Sequence, residues 1–428
     1  MSLLALGGFL LLFILLGVPI AIALGAVAVL ALVLGPGGFD ALPNVALVMY
    51  TGSTSFPLIA IPLFILAGAI MNSSGISRRL IDFALALVGF VRGGLAMVSI
   101  STSLFFAEIS GSAVADVAAL GSILIPAMRR RGYSKAFSAA VTSSSATLAV
   151  IIPPSIPMII YAVMADASVV QLFVAGIVPG VLGGALFMGI AWLLAKRYGI
   201  KRARRFRWKR VVVTFRRAAW ALILPLIVLG GIFAGWVTAT EGAGLAVLAA
   251  VVVGGAVYRE LDWSALRKAV IEGATQTAVV MLLVAASALL GDYLTETRVP
   301  QGVATAIMGM TEDRWAILLL LNAFFLLVGL VLHSAAAIIL VVPIVMPLVT
   351  AAGIDPVHFG LVVALNLGIG QQTPPVASVL VTACSVAKAD IWEVSKVNLN
   401  FIAVLVLVLA LVTYVPAVPM GLVDLIYG

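Results

Sequence analysis

The sequence predicts an all-α polytopic membrane protein, built as an inverted repeat with two re-entrant helical hairpins and two discontinuous helices. Three observations predict it. Of the 428 residues, 63% are hydrophobic and only 10% charged, whereas soluble globular chains carry about 25% charged residues. Apolar runs of helical length fill the chain almost end to end, which excludes a soluble domain and the weak alternation of a membrane barrel. Two of these runs are broken by small polar residues and a Pro-Pro pair. They are Ser143-Ser144-Ser145-Ala146-Thr147 leading to Ile152-Pro153-Pro154-Ser155, and Gly368-Ile369-Gly370-Gln371-Gln372-Thr373-Pro374-Pro375. Proline has no N–H and pushes its predecessor from helical angles. In hydrocarbon the freed carbonyls need partners, so unwound backbone belongs against protein or a polar cavity.

Charge orients the elements. The N-terminus lacks a basic region and a cleavage site, so it reads as a retained span rather than a signal peptide. Residues 196–217 hold eleven of the 25 basic residues and no acid, which makes that loop cytoplasmic. Outward from it, 169–195 runs from outside to inside and 218–235 goes out. Residues 236–241 turn outside, 243–258 return, and 269–291 leave again. The broken segment 358–387 comes in to Lys388 and Lys396, and 397–419 go out. Arg92 and Arg129-Arg130-Arg131 flank an apolar stretch interrupted by Glu108-Ile109-Ser110-Gly111-Ser112. Both flanks look cytoplasmic, so this segment is expected to enter and leave by one face. Its counterpart, 315–350, is interrupted at His333-Ser334, and its flanks lack a basic cluster. One hairpin would open inward and the other outward.

A shift of 221 residues lays Pro126 on Pro347, Gly132 on Gly353 and Pro153-Pro154 on Pro374-Pro375. Because the halves start on opposite faces, the repeat is inverted, which places a site near mid-membrane. The same shift maps 218–258 onto 1–34, splits the first apolar run at Gly17-Val18-Pro19, and puts the N-terminus outside.

The interruptions offer hydroxyls and free carbonyls, which can replace a small cation's water without burying net charge. Ser110, Ser112, Ser143, Ser144, Ser145, Thr147, Ser334 and Thr373 supply hydroxyls, and Gly368 and Gly370 allow close backbone approach. Helix N-termini facing the gap would favour an anion. The competing reading is that these small residues only pack helices together, though packing does not require the prolines. Glu108 is a coupling proton site, a cation ligand, a helix cap or the partner of a basic group. Asp116 reads as a structural acceptor at a helix start, and Glu241, after Thr238 and Thr240, as a capping residue. His333 titrates or touches substrate, or does neither. His358 reads as a surface residue, Asp82 and Glu272 as interfacial. The seven Trp and eight Tyr are mostly interfacial anchors. The sequence has no P-loop and no H-E-x-x-H, and its two His and single Cys384 leave little for a catalytic cluster. An enzyme is therefore not expected, nor an intrachain disulfide or a nucleic-acid partner. A channel stays open as a reading, although paired hairpins with paired broken helices suit alternating access better.

The stretches Phe64–Gly68, Ile109–Asp116, Gly121–Met128, Ile151–Pro157, Thr238–Glu241 and Thr373–Val376 resemble the large membrane subunit of tripartite ATP-independent periplasmic (TRAP) transporters over nearly the whole chain. The resemblance implies a sodium-coupled importer of organic acids, such as C4-dicarboxylates or sialic acid, in a bacterial cytoplasmic membrane. It implies an elevator-type architecture, with a transport domain moving against a scaffold. Scaffold helices and an arm would occupy 1–91. The first half of the transport domain would be 92–168, with hairpin 92–128 and broken helix 136–165. A connecting span, the basic loop and the second arm would take 169–311. The second half would be 312–390, with hairpin 315–350 and broken helix 358–387, followed by a last span at 391–428. Implied partners are a small four-helix membrane subunit and a periplasmic substrate-binding protein. Two or more Na+ ions are implied, with no organic cofactor. One sodium site would use Ser110 and Ser112 with Ser144, Ser145 and the backbone to Ala149; the other would use Gly329, Gly370, Thr373 and Val376. The substrate region would fall beside Pro154, Ser155, His333, Ser334 and Pro375. Three positions depart from the family pattern: Glu108 in place of glycine, His333-Ser334 in place of an acidic-Pro pair, and Gln371-Gln372 in place of apolar residues. A stand-alone sodium/anion symporter of the same broad architecture is the alternative.

Overall fold

The computed structural model describes residues 3–35, 38–110, 113–200 and 206–428. Among them every regular element is helical. The first apolar run forms α1 (Leu3–Leu15) and α2 (Ile20–Val33), parted at the expected Gly17-Val18-Pro19. Then follow α3 (Leu42–Ser53), α4 (Ala60–Ser73) and the amphipathic α5 (Ile76–Leu87). The first hairpin is α6 (Gly94–Ser110) and α7 (Ala113–Arg130). The first broken helix is α8 (Lys135–Thr147) and α9 (Ile156–Met164). Connecting spans are α10 (Val169–Arg197), α11 (Trp208–Phe233), α12 (Ala239–Val252) and α13 (Trp263–Glu296), with α14 (Val299–Met308) as a short arm. The second half closes with hairpin α15 (Arg314–Val331) and α16 (Ser334–Ala351), broken helix α17 (Pro356–Gly370) and α18 (Ser378–Ala387), then α19 (Ile391–Tyr414) and α20 (Ala417–Tyr427).

Local chemistry sets many of these starts. Ser134, Ser168, Asp262, Asp355 and Asp390 each accept a backbone N–H of the first turn they precede, which satisfies donors that a helix start leaves orphaned. Thr238 and Glu241 form a reciprocal capping box at α12, with Thr238 N donating to Glu241 Oε2 at 2.8 Å. The basic stretch is less of a loop than its charge suggests. Lys209, Arg210, Arg216 and Arg217 lie in the first turns of α11, which begins at Trp208 rather than 218. Long cationic side chains can reach the headgroups from a helix, so charge there need not end it.

Among the described residues, eight helical segments are long and apolar enough to cross a membrane. Helix α13, with 34 residues, is about 50 Å long at 1.5 Å per residue, so it outruns a hydrocarbon core of about 30 Å. The hairpin arms have 17 or 18 residues, about 26 Å each by the same rise. On one side of the molecule, α2, α3 and α4 pack on α13, α4 also on α12, and α11 on α5. Arg79 fastens this side, donating to Glu260 at 2.7 Å and stacking 3.8 Å above the Tyr258 ring.

Element boundaries recur in the two halves. Moving α7 by 221 residues gives the bounds of α16, and moving the start of α3 by 221 gives the start of α13. Contacts are exchanged between halves as well: α7 lies against α18, and α16 against α9. Both breaks contain a cis Pro-Pro bond, Pro153-Pro154 and Pro374-Pro375.

Candidate functional site

The two breaks meet in the interior. Gln372, from the second break, donates through Nε2 to the Ser143 carbonyl at 2.8 Å and to the Thr147 hydroxyl, both in the last turns of α8. Asn398 of α19 closes the knot: it donates to Gln372 Oε1 at 3.1 Å and accepts from Ser144 Oγ at 2.6 Å. Ser143, Ser144, Gln372 and Asn398 are fully buried, so each of these bonds stands in for lost water. Gly368 seats against Thr147, where an added Cβ would fall 2.9 Å from the Thr147 methyl.

Each hairpin also touches the broken helix beside it. Ser103 of α6 shares a hydrogen bond with Ser145 of α8 at 2.9 Å. In the second half, Asn366 of α17 donates to Asn322 Oδ1 of α15 at 2.6 Å, and Asn322 donates to Thr413 at 3.3 Å. At Gly329 and Gly370 the backbones of α15 and α17 come into contact, and a Cβ on Gly370 would lie 2.3 Å from the Gly329 carbonyl carbon. The tip of the second hairpin is held by Gln371 Nε2 donating to Ser334 Oγ.

A cavity of about 800 Å³ opens beside this polar centre. One wall comes from the hairpins and breaks: Phe106 and Ala113 flanking the first tip, Val150 and Gln371 at the breaks, and His333 and Ser334 at the second tip. The N-terminal ends of three helices reach it, through Ala113–Ala115 of α7, Ile156 and Pro157 of α9, and Ser334 and Ala335 of α16. The rest of the lining includes one face of α13, with Glu272, Thr275, Gln276, Val279 and Val280, joined by Asn72 of α4 and Ser77 of α5.

The residues expected to bind cations fall as follows. Gly329 and Gly370 are brought together, and Thr373 N donates to the Gly370 carbonyl at 3.0 Å while its hydroxyl donates to Ile369 at 3.0 Å. Val376 is 48% exposed. Ser144, Ser145 and Ala149 are buried, the two serines facing Asn398 and Ser103. Glu108 and Ser110 belong to the last turns of α6, but their side chains, and Gly111 and Ser112 altogether, lie outside the described residues. Of the residues assigned to substrate, His333 and Ser334 border the cavity. Ser155 caps α9 and donates to Val150 O at 2.6 Å. Pro154 packs toward α4 and α11, beside Phe64 and Leu224. Pro375 is exposed. Asp116 is buried in the first turn of α7, and Glu241 is engaged in its capping box. Among the described residues no three His, Cys, Asp or Glu side chains gather as a metal centre; carbonyl and hydroxyl oxygens are the donors the breaks contain.

One sequence reading changes. His358 is not on the surface: it is fully buried, its Nε2 2.7 Å from the Val412 carbonyl. Glu272, read as interfacial near a cytoplasmic helix end, also lines the cavity. Sequence reasoning also missed Thr275, Gln276 and Asn398. The signal was available in part, since Glu272, Thr275 and Gln276 are polar positions three and four apart within an apolar span.

Paired interrupted helices around a buried polar centre, with a large cavity alongside, define a multi-pass membrane transport protein rather than an enzyme. The model of the tripartite ATP-independent periplasmic transporter, DctM component, matches residues 7–418, and the chain belongs to that family of inner-membrane permeases. The isethionate TRAP transporter permease protein DctMQ of Oleidesulfovibrio alaskensis is 44% identical over 96% of this chain, which spans 65% of that protein's length. The C4-dicarboxylate TRAP transporter large permease protein DctM of Pseudomonas aeruginosa is 37% identical over 90% of each chain. The sialic acid TRAP transporter permease protein SiaT of Haemophilus influenzae is 35% identical over 85% of this chain and 59% of its own. In fold the chain is similar to the Alcanivorax borkumensis YdaH transporter, with a TM-score of 0.64 at 16% identity over 90% of both chains.

Proposed function

We propose that this chain is the large membrane subunit of a sodium-coupled, binding-protein-dependent importer of small organic anions that works by an elevator motion. The observation that carries this reading is the cavity of about 800 Å³ lined both by the hairpins and breaks and by α13 with α4. Substrate bound there touches both bodies, so sliding one body past the other changes the face to which the cavity opens. Three helix N-termini bring positive partial charge to one place, which suits an anion. Relatives named for isethionate, C4-dicarboxylates and sialic acid share anionic cargo. Thr275 and Glu272 lie one to two turns beyond Arg267 and Lys268, residues that the positive-inside rule puts in the cytoplasm, which supports reading the form described as inward-open.

The inverted arrangement of the halves is part of the proposal, supported by the recurring boundaries and the exchanged helix contacts. Sodium ions would sit where each hairpin meets its broken helix, between Gly329, Gly370 and Thr373 in the second half and around Ser145 and Ala149 in the first. The cation is cargo, held by oxygens that carry no net charge. A small membrane subunit and a periplasmic binding protein complete the machine. The test is uptake into proteoliposomes with components added singly and together. Uptake is expected only with a sodium gradient, the small subunit and the binding protein all present; full uptake by this chain alone overturns the tripartite reading.

A further inference from the structure

The α13 wall of the cavity contains one ionisable acid and no base. Among the described lining residues, Glu272 is the only Asp, Glu, Lys or Arg, it is exposed, and among the described residues it makes no ion pair. Thr275 and Gln276 stand on the same face, one turn further along. An ionised carboxylate accepts hydrogen bonds and cannot donate them, and it disfavours a second negative charge nearby. Lining the same cavity as the helix ends that suit an anion, it makes the cavity bipolar.

We infer that Glu272, with Thr275 and Gln276, is a specificity-determining surface that takes the hydrogen-bond-donor end of the cargo, a hydroxyl or an ammonium group, while the anionic end lies toward the hairpins. The cargo class is then a small molecule with one anionic group and a donor at its far end, and dianions are disfavoured. Glu272 sets this preference by charge; Thr275 and Gln276 add neutral donors and acceptors that hold the same end in register. This rests on the reading of the cavity as the anion site.

The experiment measures binding of four probes to the purified complex of the large and small membrane subunits in sodium buffer, so that the binding protein's own preference does not enter. The probes are 2-hydroxyethanesulfonate, 2-aminoethanesulfonate, ethanesulfonate and succinate. The wild type is expected to bind the two donor-bearing sulfonates about tenfold more tightly than ethanesulfonate, the scale of a hydrogen bond to a charged group, with succinate weakest. In Glu272→Gln the advantage of 2-aminoethanesulfonate falls about tenfold and succinate gains, while 2-hydroxyethanesulfonate keeps much of its affinity through the amide oxygen. Gln276→Leu weakens both donor-bearing probes and leaves ethanesulfonate unchanged, with the ligand-free melting temperature reporting that each variant is folded. Unchanged probe ratios in Glu272→Gln, or a wild type that binds all four equally, overturn the inference and leave the organic-anion reading standing. Binding of none of the four overturns both.

Discussion

Gly370 has no room for a side chain, because a Cβ there would lie 2.3 Å from one backbone carbon of Gly329 and 2.5 Å from another. The neighbour is main chain, so a larger residue forces α15 and α17 apart. Gly370→Ala is expected to destabilise by about 1–3 kcal/mol, the scale of overpacking, seen as a lower melting temperature, and to weaken sodium activation of uptake. Normal melting and sodium response in that variant would show that the crossing yields easily. Thr373 tests the proposed site more gently. Its hydroxyl already bonds Ile369, so Thr373→Ala leaves no buried donor stranded. The sodium concentration for half-maximal uptake should rise about fivefold, corresponding to about 1 kcal/mol for a lost ligand, with assembly intact; unchanged sodium activation counts against that site. Residues of this kind were legible because glycine and threonine beside Pro-Pro stand out in an apolar run. Glu272 was visible as a letter but not as a wall: its meaning depends on which face of α13 looks into the cavity, and that is fixed by α4 and the hairpins, far away in sequence.

The elements were legible where local chemistry decides them. The Thr238–Glu241 pair announces the start of α12, and Pro-Pro announces both breaks. The start of α11 was not, since charge alone does not unwind a helix. The joint between the breaks was hidden for another reason. Asn398 lies 26 residues after Gln372 and 254 after Ser144, and nothing local to α19 marks it as their partner. Asn398→Leu removes the acceptor of Ser144 and the donor to Gln372 at a fully buried position. It is expected to destabilise by about 1–3 kcal/mol for the stranded polar groups, measured as a fall in melting temperature of the membrane complex. Stability at the wild-type level would mean that Gln372 and Ser144 find each other's neighbours without it.

At the scale of the molecule, the proposed inward opening of the cavity has a direct signature. With Cys384 replaced by Ala, Thr275→Cys is expected to react with a membrane-impermeant thiol reagent from the cytoplasmic side, and to be protected when transported anion is bound. Labelling only from the periplasmic side, with no protection, would reverse the proposed orientation. The recurring element boundaries were foreshadowed by a handful of punctuating residues, because proline and glycine constrain backbone wherever they fall. Which half's helices would touch which was not readable, since small apolar faces are interchangeable at the level of sequence.

That interlacing has a consequence for biosynthesis. With α7 seated on α18 and α16 on α9, the half that leaves the ribosome first exposes seams that only the later half can seal. Two fragments severed in the stretch joining α10 to α11 should each be degraded when made separately, yet rebuild a working permease when produced in the same cell.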